Sequence, residues 1–176
     1  LIHRKIGGRS VYPPQSADLV KLGFQTSLSW PENKDENRYR RGIYTFFQRT
    51  VPYPMLIEFD AADSNASCTR RERSNTPLQA LTLWNDPVFV ECARMLGSRM
   101  LKAVPVDHNN AVDSLDRRIR FAYELCFARP PSQKELMVIG RLYREAAGRQ
   151  PSDPDAAGSF AVARVLLNLD EFITRE

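Results

Sequence analysis

The chain has 176 residues and a mass of 20.1 kDa, 43% hydrophobic and 26% charged, enough for one compact domain with its own core. Three cysteines and eight glycines exclude a disulfide scaffold and a collagen-like chain, and 10% aromatic residues argue against a disordered tail. The net charge is +4, and all of it belongs to residues 1–75, where 12 Lys and Arg stand against 8 Asp and Glu; residues 76–176 balance at 13 against 13.

Residues 1–36 carry little period. Gly7-Gly8, Pro13-Pro14 and the polar run Glu32–Asn37 read as turns, with short extended pieces around Ser10–Tyr12 and Gln25–Trp30. Arg38–Arg49 interleaves positive charges with aromatics. Its apolar positions Tyr39, Ile43, Phe46 and Phe47 have helical spacing and predict a helix, although Gly42 and the β-branched residues favour a strand. Pro52 and Pro54 are expected to stop any regular element.

From Asn75 the pattern is helical. Asn75 or Thr76 caps, Pro77 takes the first position, and Leu78, Leu81 and Trp84 are expected to form a short helix face. Asn85-Asp86-Pro87 opens a second helix with the stripe Phe89, Cys92, Ala93, Leu96 and Met100. A third runs to about Ala128 on Val112, Leu115, Ile119, Ala122 and Cys126. Ser132-Gln133-Lys134-Glu135 is a capping box for a fourth, which carries Leu136, Ile139, Tyr143 and Ala146 inward. A Pro/Asp loop over 149–157 precedes the last helix, with Phe160, Val162, Val165, Leu166, Leu169, Phe172 and Ile173. The fold class is therefore mainly α. Residues 75–176 form an antiparallel helical bundle, and 1–74 form an irregular aromatic- and Arg-rich segment, open to short strands, wrapped on it as one domain.

Motif chemistry is sparse. Cys68, Cys92 and Cys126 have no metal or haem spacing; Cys92 and Cys126 read as small buried hydrophobes. Asp60, Asp63 and Asn65 lack the alternation of a calcium loop and read as a capped turn, so no metal is expected. His3 and His108 read as surface residues, and Glu171 is expected to pair with an arginine. Asp60 is a weak catalytic candidate as an acid/base. Arg38, Arg41, Arg70, Arg71, Arg73 and Asn75 are candidates for binding an anion or a partner, because arginines next to a helix N-terminus can seat one. Internal ion pairs are the competing reading. A pI near 9.1 without a reading motif is a weak nucleic-acid footprint, so nucleic acid is not expected, and no apolar run is long enough to span a membrane.

Several stretches together resemble one family. They are Gly7-Gly8-Arg9-Ser10-Val11-Tyr12-Pro13-Pro14-Gln15, Arg38–Phe47, Phe59-Asp60-Ala61, Arg73-Ser74-Asn75-Thr76-Pro77-Leu78-Gln79-Ala80-Leu81 and Leu166–Phe172. The family is the planctomycete-type C-terminal domain of unknown function. It follows a second uncharacterised domain and often a cytochrome-c-like module. Arg9, Ser74 and Trp84 depart from the pattern, where Pro, Thr and Leu are usual. The resemblance implies the C-terminal part of a larger protein, exported to a bacterial periplasm or cell surface, in keeping with Leu1 standing first without a signal segment. It supplies no catalytic residues. It implies no cofactor in this chain, with haem expected only on an upstream domain.

Two functional expectations follow. The first is a structural or interaction module that packs on upstream domains or another exported protein, in a cytochrome-c-like or polysaccharide-degrading system. The second is part of an enzyme on anionic polysaccharide, with its site at the Arg-rich segments.

Overall fold

A computed structural model describes residues 5–15, 30–49, 52–62, 66–71, 74–105 and 111–174. The expected extended piece at Gln25–Ser29, the metal-turn residues Asp63 and Asn65, both histidines and Arg73 lie outside the described residues. Helices, 3-10 turns included, account for 62% of the described residues, so the chain is mainly α. The α-helices are α1 (Pro54–Glu58), α2 (Pro77–Asn85), α3 (Pro87–Ala103), α4 (Ala111–Phe127), α5 (Gln133–Arg149), α6 (Pro154–Leu166) and α7 (Asp170–Ile173). The chain divides into two compact units, Leu1–Gln79 and Ala80–Glu176.

The first unit is organised by aromatics and one arginine. Val11 and Thr45 form an isolated parallel bridge, in which Val11 N–H donates to Tyr44 O and Phe46 N–H to Val11 O, both at 2.8 Å. Around it Tyr12 stacks on Phe46 at 5.0 Å and meets Trp30 edge-on at 5.2 Å, while Trp30 lies parallel to Tyr53 at 5.7 Å. The polar tips of these rings are satisfied by the proline turn: Trp30 Nε1 donates to Pro13 O at 2.7 Å and Tyr53 Oη to Pro14 O at 3.0 Å.

The helix expected over Arg38–Arg49 does not form. Two short 3-10 turns, Glu36–Tyr39 and Gly42–Tyr44, are separated by extended backbone at Arg40 and Arg41. The carbonyl of Tyr44 and the N–H of Phe46 are spent on Val11, which removes them from any helical ladder. Nor does Pro54 end regular structure. It takes the first position of α1, where its missing N–H costs nothing.

The second unit is the bundle. Aspartate followed by proline starts two of its helices. The Asp86 carboxylate accepts from Val88 N–H at 2.8 Å before Pro87, and Asp153 accepts from Ala156 N–H at 3.1 Å before Pro154. The second start falls inside the expected 149–157 loop, so α6 begins earlier than its apolar stripe. The Ser132–Glu135 capping box is present, with its two bonds at 3.3 and 2.7 Å. Helices α5 and α6 pack extensively and are joined by four residues, which makes them antiparallel.

The core joins Ala93, Leu96 and Met100 of α3, Ile119 and Ala122 of α4, Leu136 and Ile139 of α5, and Val162 and Leu166 of α6. Each fully buried large side chain here contributes on the order of 2 kcal/mol. Most of the expected stripes of α3 to α6 are inside. In them Val112 is 71% exposed, and Cys92 and Cys126 are half-buried. Burial pushes the Cys126 thiol up to about 11, which keeps it protonated and inert.

Two arginines organise the polar part of the bundle. Arg118 is 2% exposed. Its Nε donates to Val104 O at 2.7 Å, and its Nη1 donates to Tyr143 Oη and Asp155 Oδ1, each at 3.1 Å. Tyr143 Oη also donates to Asp155. The Tyr143 ring lies over Gly158, where an added Cβ would come within 2.7 Å of it. Arg129 pairs as expected with Glu171, bidentate at 2.6 and 2.7 Å, and also holds Glu135 at 2.8 and 3.1 Å. This latch ties α7 to the start of α5. The hydrogen bonds from Arg129, then that from Ser132 N–H, hold the Glu135 carboxyl down at about 2. A depressed carboxyl adds stability above its unfolded value near 4.5 and loses it as the pH falls toward the folded value. The bundle is therefore expected to lose stability between about pH 4.5 and pH 2, by about 1 kcal/mol once solvent screening is allowed for. Glu135→Gln should flatten that part of the stability–pH curve measured by urea unfolding; an unchanged slope would remove Glu135 from its cause.

Candidate functional site

The expected site lies in the first unit, where α1 runs out into the arginine-rich loop and the loop runs into α2. Helix α1 ends on a Schellman turn. Ala61 N–H donates to Leu56 O at 2.7 Å and Asp60 N–H to Ile57 O at 3.1 Å, with Asp60 in the left-handed region at φ 56°. Glycine is the usual residue at such a position, so an aspartate there needs a reason in its side chain. The carboxylate supplies one. Ser74 N–H donates to Asp60 Oδ2 at 2.7 Å, and Ser74 Oγ lies 2.8 and 3.0 Å from the two carboxylate oxygens. The bonds from the Ser74 backbone and hydroxyl, with a smaller contribution from the charge of Arg71, hold the Asp60 carboxyl below the ordinary aspartate range.

Arg71 closes the same turn from outside, with Nε donating to Asp60 O and Nη2 to Phe59 O, both at 2.7 Å. Two carbonyls left over at the end of α1 are thereby satisfied. Gln79 closes it from inside and is 1% exposed. Its Nε2 donates to Glu58 O at 2.6 Å and to Ser74 Oγ at 2.9 Å, and its Oε1 accepts from Thr76 N–H at 3.1 Å. Thr76 Oγ1 returns a bond by accepting from Gln79 N–H at 3.3 Å. Thr76 is thus the cap of α2, Pro77 its first residue, and Gln79 the reciprocal member of a capping box. A glutamate would cap equally well, but only an amide can also donate two hydrogens to Glu58 O and Ser74 Oγ.

The candidates separate into three groups. Asp60 and Arg71 are brought together through the backbone of the turn. Arg70 and Asn75 are exposed beside them, and the Arg70 carbonyl accepts from Cys68 Sγ at 3.2 Å. Arg38 belongs to the first 3-10 turn, where it lies 5.4 Å from the Tyr39 ring centroid, and Arg41 is exposed in the stretch between the two turns. The sequence does not single out Ser74 and Gln79. Their signal is the Thr-x-x-Gln box, which the apolar face of Leu78, Leu81 and Trp84 masks. In the structure that face is the outer one. Gln79 and Leu83 are buried, whereas Leu78 and Leu81 are each 57% exposed and Trp84 is 38% exposed. The four bonds of Gln79 orient the helix and leave the leucines outside. Trp84 is covered on one side by the Arg164 guanidinium, 3.9 Å from the ring centroid, which also donates to Trp84 O. Among the described residues, no group of three His, Cys, Asp or Glu could hold a metal ion.

The profile of a family described as PSD1, protein of unknown function (DUF1553), matches residues 1–143. The chain belongs to the PSD1 family. No curated protein and no solved structure matches it. The PSD1 match includes the whole Asp60–Gln79 constellation and the exposed face of α2. Asp155 and Glu171, the acidic partners of Arg118 and Arg129, lie beyond it.

Proposed function

We propose that this PSD1 domain is a non-catalytic interaction module of an exported multidomain protein, held at a bacterial periplasm or cell surface. Its work is linked to a cytochrome-c-like or polysaccharide-degrading system, and any haem belongs to an upstream domain. One observation carries the reading. In the specific Asn75–Leu81 run of the family pattern, Gln79 turns inward to bond Thr76 and Ser74, while Leu78 and Leu81 of α2 turn outward. Exposed leucines on a helix whose glutamine is buried suit contact with another protein surface. An enzyme acting on anionic polysaccharide would instead need Asp60 to exchange a proton. Its carboxylate is already committed to Ser74 and held down.

Hydroxyl-radical footprinting tests the reading. Leu78, Leu81 and Trp84 should be labelled strongly in the isolated chain and be protected several-fold in the full-length polypeptide. Equal labelling of both would show that α2 contacts nothing there.

A further inference from the structure

Helix α2 carries no charge, but a second exposed apolar surface does. Arg40, which is 8% exposed, turns inward and fastens residues 5–9 to residues 40–44. Its Nη2 donates to Lys5 O at 3.0 Å and Gly7 O at 2.6 Å, its Nη1 reaches Arg9 O at 3.4 Å, and its guanidinium lies 3.7 Å from the Tyr44 ring centroid. Gly7 N–H donates to Tyr44 Oη at 2.9 Å. Gly7 and Gly8 have φ of 78° and 99°, a path that only glycine follows without strain.

The knuckle so formed presents the two most exposed large hydrophobic side chains among the described residues, Ile43 at 85% and Ile6 at 81%. Lys5, Arg9 and Arg41 are exposed on the same two segments, and neither segment contains an acidic residue. The one ring in the knuckle, that of Tyr44, is half-buried and carries Arg40 against one face. The most exposed apolar contact is therefore aliphatic, which suits a protein better than stacked sugars or bases. Exposed isoleucines on segments whose charges are all positive match a protein interface, where arginine is enriched and opposite charge guides approach.

We propose that Ile6 and Ile43, with the exposed cations Lys5, Arg9 and Arg41 of the same two segments, dock an acidic protein face that has an apolar centre. This rests on the interaction-module reading and adds the partner's charge and the surface that meets it.

The test uses the whole chain and a synthetic helical peptide with glutamates flanking a leucine stripe, followed by amide NMR shifts. Binding should weaken with salt, shift Gly7–Arg9 and Gly42–Ile43, and fall about tenfold in each of Ile43→Ser and Arg41→Glu. Both positions are exposed, so a melt equal to wild type verifies that each variant folds. Leu81→Ser should leave peptide binding unchanged, which separates this surface from the face of α2. Three results would each overturn the proposal. Polyglutamate could bind as tightly with Ile43→Ser silent, marking a charge-only patch. Phosphatidylglycerol vesicles could bind while the peptide does not, marking a membrane surface. Or neither probe could bind.

Discussion

Gln79→Glu is expected to destabilise the chain by about 3 kcal/mol or more, lowering the thermal midpoint by roughly 10 °C. Gln79 is 1% exposed, and its amide nitrogen lies 2.6 Å from Glu58 O and 2.9 Å from Ser74 Oγ. The substitution changes one atom type and almost no volume. It replaces a double donor by an anion that faces a carbonyl oxygen without water to screen it. The capping bond to Thr76 N–H survives, so loss of the cap cannot account for the effect. Gln79→Met removes the same bonds without adding charge and should cost less, about 2 kcal/mol. Equal midpoints for Gln79→Glu and wild type would mean that the amide is not a donor to both partners.

The second large effect is an asymmetry. Asp155→Ala should destabilise the bundle by about 3–5 kcal/mol, and Arg118→Met by clearly less. The Arg118 side chain is 2% exposed and the Asp155 side chain 34% exposed. Removing the aspartate strands a cation that water does not reach, with Val104 O and Tyr143 Oη as its remaining acceptors. Removing the arginine strands a carboxylate that is a third exposed and keeps its bond from Tyr143. A methionine also refills much of the volume. Urea unfolding of the two variants side by side gives the order. The reverse order would place the burial penalty on the carboxylate.

The sequence makes the bundle legible because its helices are long and each inner face repeats an apolar pattern. Leu96, Ile119, Ile139 and Val162 are all found inside. The starts at Pro87 and Gln133 are legible because proline after aspartate, and Ser-x-x-Glu, work through the nearest backbone N–H groups. Helix α2 fails that reasoning. It has nine residues, and three side-chain bonds of one glutamine outweigh the burial of two leucines in setting which way it faces. The first unit fails it further. Its order comes from Arg40, from ring contacts between residues as far apart as Tyr12 and Phe46, and from a single bridge. None of these has a period.

The candidate site was half visible for the same reason. Aspartate and arginine are conspicuous in a sequence, whereas the serine and glutamine that bind the aspartate in place are not.

The ionisation of Asp60 separates a clasp from a catalyst most directly. Titration of its carboxyl carbon by NMR should place its midpoint below that of ordinary aspartates, because Ser74 bonds the charged form. Stability from this group is then present above the unfolded value near 3.9 and lost only as the pH falls through the folded one. In Ser74→Ala the midpoint should rise while remaining acidic. A midpoint raised toward neutrality in the wild-type chain, as a general acid requires, would contradict the clasp and return Asp60 to the chemistry of an active site.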